Sequence, residues 1–408
     1  MNNLIGKHIT LISLNFYPED TAIGLYSTQM AEYLEQQGAH ISVITAFPYY
    51  PQWEIAPAYQ DKGSYLHEKK GSIDIYRYKQ FTPKSPTFLK RVVHITDFTL
   101  GSRFNFKQIK KCDIVISVIP FTSSAWLGNT LSRKRNAKHW IHIQDFEFDA
   151  AFQSGLAATT SENKSVAYKG LMRLERSILD KADCVSTISQ TMLAKLKEKT
   201  NTATYYLPNW IDATESDPSQ VAQHPYFSQD KFSILYAGNV GDKQDWSFFK
   251  KIVAALDFTK FEVIVVGAGA KMEILKDQLK ASDVQFYDPV PLEGLASLLA
   301  SADVHILFQK AEVVDTVMPS KILGMMASAR PSIITGHPDA EPAKIIEASQ
   351  GGYYKSTTDA QEIVAILNSL RTNSDRATLM GSNARKFIVE KYARKAILKD
   401  FTDTLRRL

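Results

Sequence analysis

Short apolar runs alternate with longer amphipathic stretches along the whole chain, which predicts parallel strands joined by helices. Runs at His8–Leu14, His40–Thr45, Asp74–Tyr78, Asp113–Val118, His139–Ile143 and Cys184–Ile188 read as strands. Between the first two, Gly24–Gln37 carries apolar residues at helical spacing and stops at Gly38. After Leu207-Pro208-Asn209-Trp210 the pattern lapses into a polar stretch through Pro225, the composition of a connection between domains. Strand-like runs resume at Phe232–Tyr236, Phe261–Val266, Val284–Tyr287, Val304–Phe308 and Ser332–Thr335. A final amphipathic segment, Arg376 to Leu408, is expected to pack back across the first half. The expected fold is α/β, two doubly wound Rossmann-like domains at residues 1–208 and 209–389, with about 390–408 returning to the first.

Composition narrows the partners. At 408 residues the chain exceeds the roughly 250–300 at which a single core stops growing. A hydrophobic share of 44% and a charged share of 22% are globular values. A net charge of +5 is too mild for a dedicated nucleic-acid binder but suits an anionic small ligand or a membrane surface. Cys112 and Cys184 form neither a disulfide framework nor a metal-ligand spacing. The first strand-like run, HITLISL, follows no charged-then-apolar leader, and no apolar run approaches the ~18 residues of a membrane span. A cytoplasmic, reducing compartment is expected.

In doubly wound sheets, ligands bind outside the carboxyl ends of the strands, so the loops there carry the candidate chemistry. Tyr236–Gln244 (YAGNVGDKQ) holds two glycines that allow close backbone approach and a lysine to meet a phosphate. Val265–Gly269 (VVGAG) turns from strand to helix but lacks the third glycine of a dinucleotide fingerprint. His142–Asp149 (HIQDFEFD) collects polar groups at a strand's carboxyl end, where Asp149 reads equally as a helix cap. Phe16–Gly24 ends in a glycine at a helix start, and Pro48–Trp53 is an aromatic, proline-rich loop suited to sugar stacking or to local packing. Asp315–Ile334 (DTVMPSKILGMMASARPSII) places Lys321 at the mouth of an apolar helix, either a capped core helix or an anion grip. From Phe81 to Lys111 seven basic residues stand against one acid, Asp97, with Phe88, Phe98, Phe104 and Phe106 interleaved. That pattern fits a peripheral membrane face or a solvated helix with its phenylalanines in the core.

FYPEDTAIGLYS, PYYPQW, LKRVVHI, HIQDFEFDA, VSTIS, LPNW, YAGNVGDKQ and VMPSK occur in this order over nearly the full chain. Together they resemble the retaining glycosyltransferases of family 4, of GT-B fold, and most of all the WcaI-type branch of colanic acid and related exopolysaccharide clusters. The resemblance implies two Rossmann-like domains facing across a cleft, the first binding acceptor and the second a nucleotide sugar. It implies that Lys243, with Asn239 and Gln244 beside it, faces the donor diphosphate. Ser320, Lys321 and the N–H groups of their helix start would complete that site, with Gly267 and Gly269 lining it and Gly24 over the donor phosphates. His142, Asp145 and Glu147 would lie near the sugar and the acceptor. One departure matters: Thr316 and Gly324 stand where the wider family places two glutamates. Asp315 is the expected substitute for the first, and the ribose contact is left unassigned.

The implied activity is transfer of a hexose, with fucose one option, from a nucleotide diphosphate sugar to a lipid-linked oligosaccharide in bacterial surface polysaccharide biosynthesis. Configuration would be retained, with no metal or other cofactor. A GDP-sugar is favoured, with UDP-sugars open. The enzyme would sit peripherally on the anionic inner face of the plasma membrane. A nucleotide-sugar epimerase of the same fold and a non-catalytic nucleotide-sugar-binding partner of an assembly complex are the alternatives.

Overall fold

The computed structural model describes residues 4–20, 22–85, 87–120, 122–146, 148–149, 161–214, 217–228, 230–311 and 320–408, without the side chains of residues 22, 88 and 161–167. The chain divides into two compact units, Met1–Pro208 with Ile397–Leu408, and Asn209–Ala396.

The first unit contains β1 (His8–Ile12), β2 (His40–Ala46), β3 (Tyr65–Lys70), β4 (Ile73–Tyr78), β5 (Ile114–Ile119), β6 (Lys138–Ile143), β7 (Cys184–Thr187) and β8 (Ala203–Tyr206). They form one sheet in the order β3-β4-β2-β1-β5-β6-β7-β8. All neighbours are parallel except the β3–β4 hairpin. Helices cover both faces of a parallel sheet, so its central strands are apolar throughout, and β5 (IVISVI) is buried at every position. The edge strand β3 (YLHEKK) was not expected, because it alternates exposed and half-buried residues and holds no apolar run.

The second unit contains β9 (Phe232–Ala237), β10 (Phe261–Val266), β11 (Val284–Tyr287), β12 (Val304–Phe308), β13 (Ser332–Thr335) and β14 (Gly352–Lys355). This sheet is wholly parallel, in the order β11-β10-β9-β12-β13-β14. Strand order reverses at β9 beside β12, and likewise at β1 beside β5. Loops diverge there and leave room for a ligand at the carboxyl ends.

The expected single closing segment is two helices, Ser374–Tyr392 and Arg394–Leu405. Ile211 interrupts it: its N–H donates to the Tyr392 carbonyl at 2.9 Å, and Arg394 N–H donates to the Ile211 carbonyl at 2.8 Å. Asp212 pairs with Arg394 at 2.6 Å. Ala393 therefore carries a strand-like bridge between the helices. In the last helix Phe401 meets Trp140 edge to face at 5.0 Å.

Two buried histidines tie helices to strands. His139 on β6 holds Ser117 Oγ at 2.9 Å and Asn129 Oδ1 at 3.0 Å. His305 on β12 holds Ser328 Oγ at 2.9 Å. Burial, the leading cause in both, lowers each pKa from 6.5 to about 3. Between those values the unfolded chain binds a proton that the folded chain refuses, so stability falls as pH drops through this window. Urea midpoints are expected to decline from pH 7 to pH 4, with each histidine contributing about 1.4 kcal/mol per pH unit to the slope. His305→Gln should flatten the decline of the second unit; an unchanged slope would show that this ring titrates normally.

Candidate active site

In the second unit the loops after β9 and β10 lie directly on one another. Gly238 N–H donates to the Val266 carbonyl at 2.8 Å, and Val240 N–H to the Ala268 carbonyl at 2.9 Å. A Cβ on Gly267 would stand 2.0 Å from the Gly238 carbonyl oxygen, and one on Gly269 would stand 2.4 Å from that of Val240. What these glycines make room for is therefore protein backbone, a reason for them that needs no ligand. Gly24 in the first unit repeats this, since a Cβ there would sit 2.5 Å from the Glu19 carbonyl oxygen.

Lys321 opens the short helix Lys321–Ala327, and Ser320 before it makes no side-chain cap. The apolar body of this helix, Ile322, Leu323, Met325 and Met326, is core. Its lysine reaches back to β9. The ammonium donates to Tyr236 Oη at 2.6 Å and to the Asn239 carbonyl at 3.3 Å. It also lies 4.4 Å from the centre of the Tyr236 ring. Desolvation pulls the Lys321 pKa from 10.5 down to about 7. Lys243 and Asn239 are exposed on the same loop. Lys310 N–H donates to the Lys243 carbonyl at 3.1 Å. Gln244 turns inward, its Oε1 accepting Gly241 N–H at 3.3 Å. The loop thus presents Asn239 and Lys243 outward while Gln244 holds its turn. Asp315, Thr316 and Pro319 lie outside the described residues, so the expected sugar contact of Asp315 is untouched by this geometry.

In the first unit His142 is buried in β6. Its Nδ1 lies 2.9 Å from Ser186 Oγ and its Nε2 lies 2.9 Å from Gln144 Nε2. Burial lowers its pKa to about 3, so the ring is neutral and both nitrogens are engaged within the unit. Here His142 orients Gln144 and does not present a free nitrogen. Asp145, half-buried, is near enough to Tyr50 to raise that phenol's pKa, after desolvation and ahead of Glu19. Asp149 is no simple helix cap: it pairs with Lys195 at 2.9 Å and Lys199 at 2.7 Å, and Lys199 also pairs with Glu175 at 2.6 Å. Glu147 lies outside the described residues.

Two functional candidates escape a reading of the sequence. Glu19 is a buried carboxylate whose Oε1 accepts N–H groups of Tyr49 and Tyr50, both at 2.8 Å, and whose Oε2 accepts Asn15 Nδ2 at 2.9 Å. It fastens the loop after β1 to the loop after β2. Its position among aromatic loop residues was the available signal. Tyr236 is the other, concealed as the apolar end of a strand. Among the described residues no group of three or more His, Cys, Asp or Glu is placed to hold a metal ion.

A family profile described as "Glycosyl transferases group 1" matches residues 231–373, and one described as "Glycosyl transferase 4-like domain" matches residues 21–210. A protein of Escherichia coli strain K12, named for colanic acid biosynthesis as glycosyl transferase WcaI, is 30% identical over 417 residues, spanning 98% of this chain and 99% of its own. The chain belongs to the group 1, family-4-like glycosyltransferases. Solved structures of the fold agree. Sucrose-phosphate synthase from Thermosynechococcus elongatus superposes with a TM-score of 0.75 at 16% identity, covering 98% of both chains. The glycosyltransferase WaaG of lipopolysaccharide biosynthesis gives 0.66 at 13%, covering 97% of this chain and 99% of its own. HepE of Anabaena with UDP-glucose gives 0.66 at 12%, covering 98% and 100%. At these identities the likeness establishes the GT-B fold.

The glycosyltransferase pairs its buried lysine with a hydroxyl and a carbonyl, and that has a measurable cost. With a folded pKa near 7 against 10.5, the unfolded chain binds the extra proton between those values. Stability should rise with pH across this window. Lys321→Met removes the dependence. Its stability relative to the parent should be greatest near pH 6 and shrink by about 1–3 kcal/mol towards pH 10, allowing for the solvated part of the side chain. Parallel urea-unfolding curves at both pH values would contradict a desolvated ammonium.

Proposed function

We propose that this glycosyltransferase moves a hexose, with fucose one option, from a nucleoside diphosphate sugar to a hydroxyl of a lipid-linked glycan in bacterial surface polysaccharide biosynthesis, with retained anomeric configuration. The observation that carries this reading is the 30% identity with WcaI of Escherichia coli, which extends over 98% of this chain. The second unit takes the donor and the first the acceptor. Lys321 and Lys243 stand against the diphosphate, where negative charge develops on the departing phosphate, and fixed cations there lower the barrier. They replace a metal in that role. Asp145, Glu147 and Asp315 serve the sugar and acceptor, and His142 acts through Gln144. GDP-sugars are the favoured donors and UDP-sugars the other arm. HepE was solved with UDP-glucose and starch synthase IV of Arabidopsis thaliana with ADP, which supports a nucleoside diphosphate in this fold.

A thermal-shift series with GDP, UDP, CMP and their sugars should raise the melting temperature for one nucleoside diphosphate class. With that donor and a membrane extract as acceptor, Lys243→Ala is expected to lower transfer by about a hundredfold or more while the far-ultraviolet spectrum is unchanged. Turnover near that of the parent would remove the diphosphate role. Isomerised donor in the absence of acceptor would establish the epimerase instead.

The acceptor's lipid end implies a membrane site, and the helix Phe88–Ser102 with the turn after it, Arg103–Lys107, has the matching surface. Phe98 and Phe106 are core, whereas Leu89 is 74% and Phe104 59% exposed, with Val92, Val93 and Leu100 also exposed. Lys90, Arg91, Arg103, Lys107, Lys110 and Lys111 are exposed around them. Each cation near anionic lipid contributes roughly 1 kcal/mol. The protein should sediment with phosphatidylglycerol vesicles, release at high salt, and bind at least tenfold less when Leu89 and Phe104 are both changed to Glu. Indifference to anionic lipid would refute the membrane assignment.

A further inference from the structure

We propose that Tyr236 is the positioning residue of Lys321, its hydroxyl and ring face together setting the ammonium at the place where a donor phosphate is met. The proposal rests on the reading of Lys321 as a diphosphate contact. Tyr236 itself touches no donor atom in it.

The tyrosine is immobilised first. It is 1% exposed, stacked on Phe308 at 5.4 Å and packed edge to face on Trp246 at 5.0 Å. Its hydroxyl donates to the Asn239 carbonyl at 2.7 Å, which turns its lone pairs towards the incoming lysine. The ammonium then donates to that hydroxyl at 2.6 Å and to the Asn239 carbonyl at 3.3 Å, above the ring. An ammonium has three donors. Among the described residues two are taken up by these oxygens, and a phosphate oxygen would suit the third.

The lysine stem is held as firmly as its tip. Gly238 has φ +128°, and a Cβ there would stand 2.5 Å from Lys321 Cε and 2.9 Å from Nζ. The stem therefore lies against bare backbone, in a gap that a side chain at 238 would fill. Phenylalanine at 236 would satisfy the packing on Phe308 and Trp246 equally well. Among the described residues, the hydroxyl answers to the lysine and the Asn239 carbonyl alone. Among the described residues no carboxylate contributes to the titration of Lys321, and burial raises the Tyr236 phenol far above the working range. The hydroxyl, an uncharged acceptor, thus shares with the Asn239 carbonyl and the ring face the contacts made to the ammonium.

Tyr236→Phe in the full chain is the test, with Lys321→Met and the double variant beside it. The probes are GDP-glucose and UDP-glucose, whose phosphates are diesters and carry constant charge across neutral pH. Tyr236→Phe should weaken binding of the preferred one about tenfold at pH 7.5, the scale of one lost hydrogen bond to a charged group. The pH above which affinity declines should move lower, and the substitution should have no further effect in the Lys321→Met background. Competitive amine labelling of the ligand-free parent should find Lys321 titrating well below an ordinary lysine, and lower still in Tyr236→Phe. This second measurement stands even if a variant binds no nucleotide. Independent, multiplying effects of the two substitutions, or a Lys321 titration indifferent to Tyr236→Phe, would overturn the positioning role. Lys321→Met with unchanged nucleotide-sugar affinity would instead sink the diphosphate reading while leaving the labelling result interpretable.

Discussion

The geometry of the second unit's candidate site depends on one close approach, that of the loop after β9 to the loop after β10. Gly267 can have no side chain because the Gly238 oxygen occupies its place, and Gly238 has a φ of +128° that disfavours one, which would also displace the end of Lys321. Three elements that are distant in sequence interlock through two missing side chains. The contact makes the floor of the site backbone, which does not change rotamer. It also removes water from one side of the lysine. The depressed pKa of Lys321 follows from that packing, since desolvation is the only cause acting on it among the described residues.

The first unit solves a related problem with buried polar groups in place of glycine contacts. Glu19 gathers two backbone N–H groups and an asparagine amide, and Arg77 on β4 reaches Glu68 at 2.6 Å and the Ala46 carbonyl at 3.0 Å. Glu19 spans the loops after β1 and β2, and Arg77 also donates to the Tyr17 carbonyl in the first of them, so that end of the sheet is pinned by charge-assisted hydrogen bonds. Such a cluster tolerates little loss, because removing one partner leaves the other buried and unpaired. Asp145, on the loop after β6, is close enough to Tyr50 to raise that phenol's pKa, after desolvation.

Much of this was legible in the sequence. A parallel strand covered on both faces must be a continuous apolar run, so the central strands of both sheets announced themselves. Edge strands need not be, and β3 and β14 (GYYK) did not. Pro319-Ser320-Lys321 before an apolar helix marked a helix mouth, and the structure puts Lys321 at its first position. The glycines of VVGAG and Gly238 of YAGNVG sit at close approaches, although the sequence pointed there to a ligand. Glycine states that something comes near without stating what, and here it is neighbouring backbone and a lysine stem. His142 misled for a similar reason, because a histidine at a strand's end looks the same whether its nitrogens face a ligand or a serine and a glutamine. The break at Ala393 depends on Ile211, about 180 residues earlier, and no local pattern encodes that.

Gly324 brings these strands of reasoning together. It stands where the wider family carries an acid, and a Cβ there would meet Leu299 Cδ1 at 3.1 Å, so the position faces an apolar neighbour. An acid on this helix would set a negative charge within one turn of Lys321 and would favour its ammonium form. Among the described residues, the ligand-free lysine has a phenol, a carbonyl and a ring beside it. If Lys321 meets the donor diphosphate as proposed, donor binding and proton uptake by this desolvated lysine are one event near neutral pH.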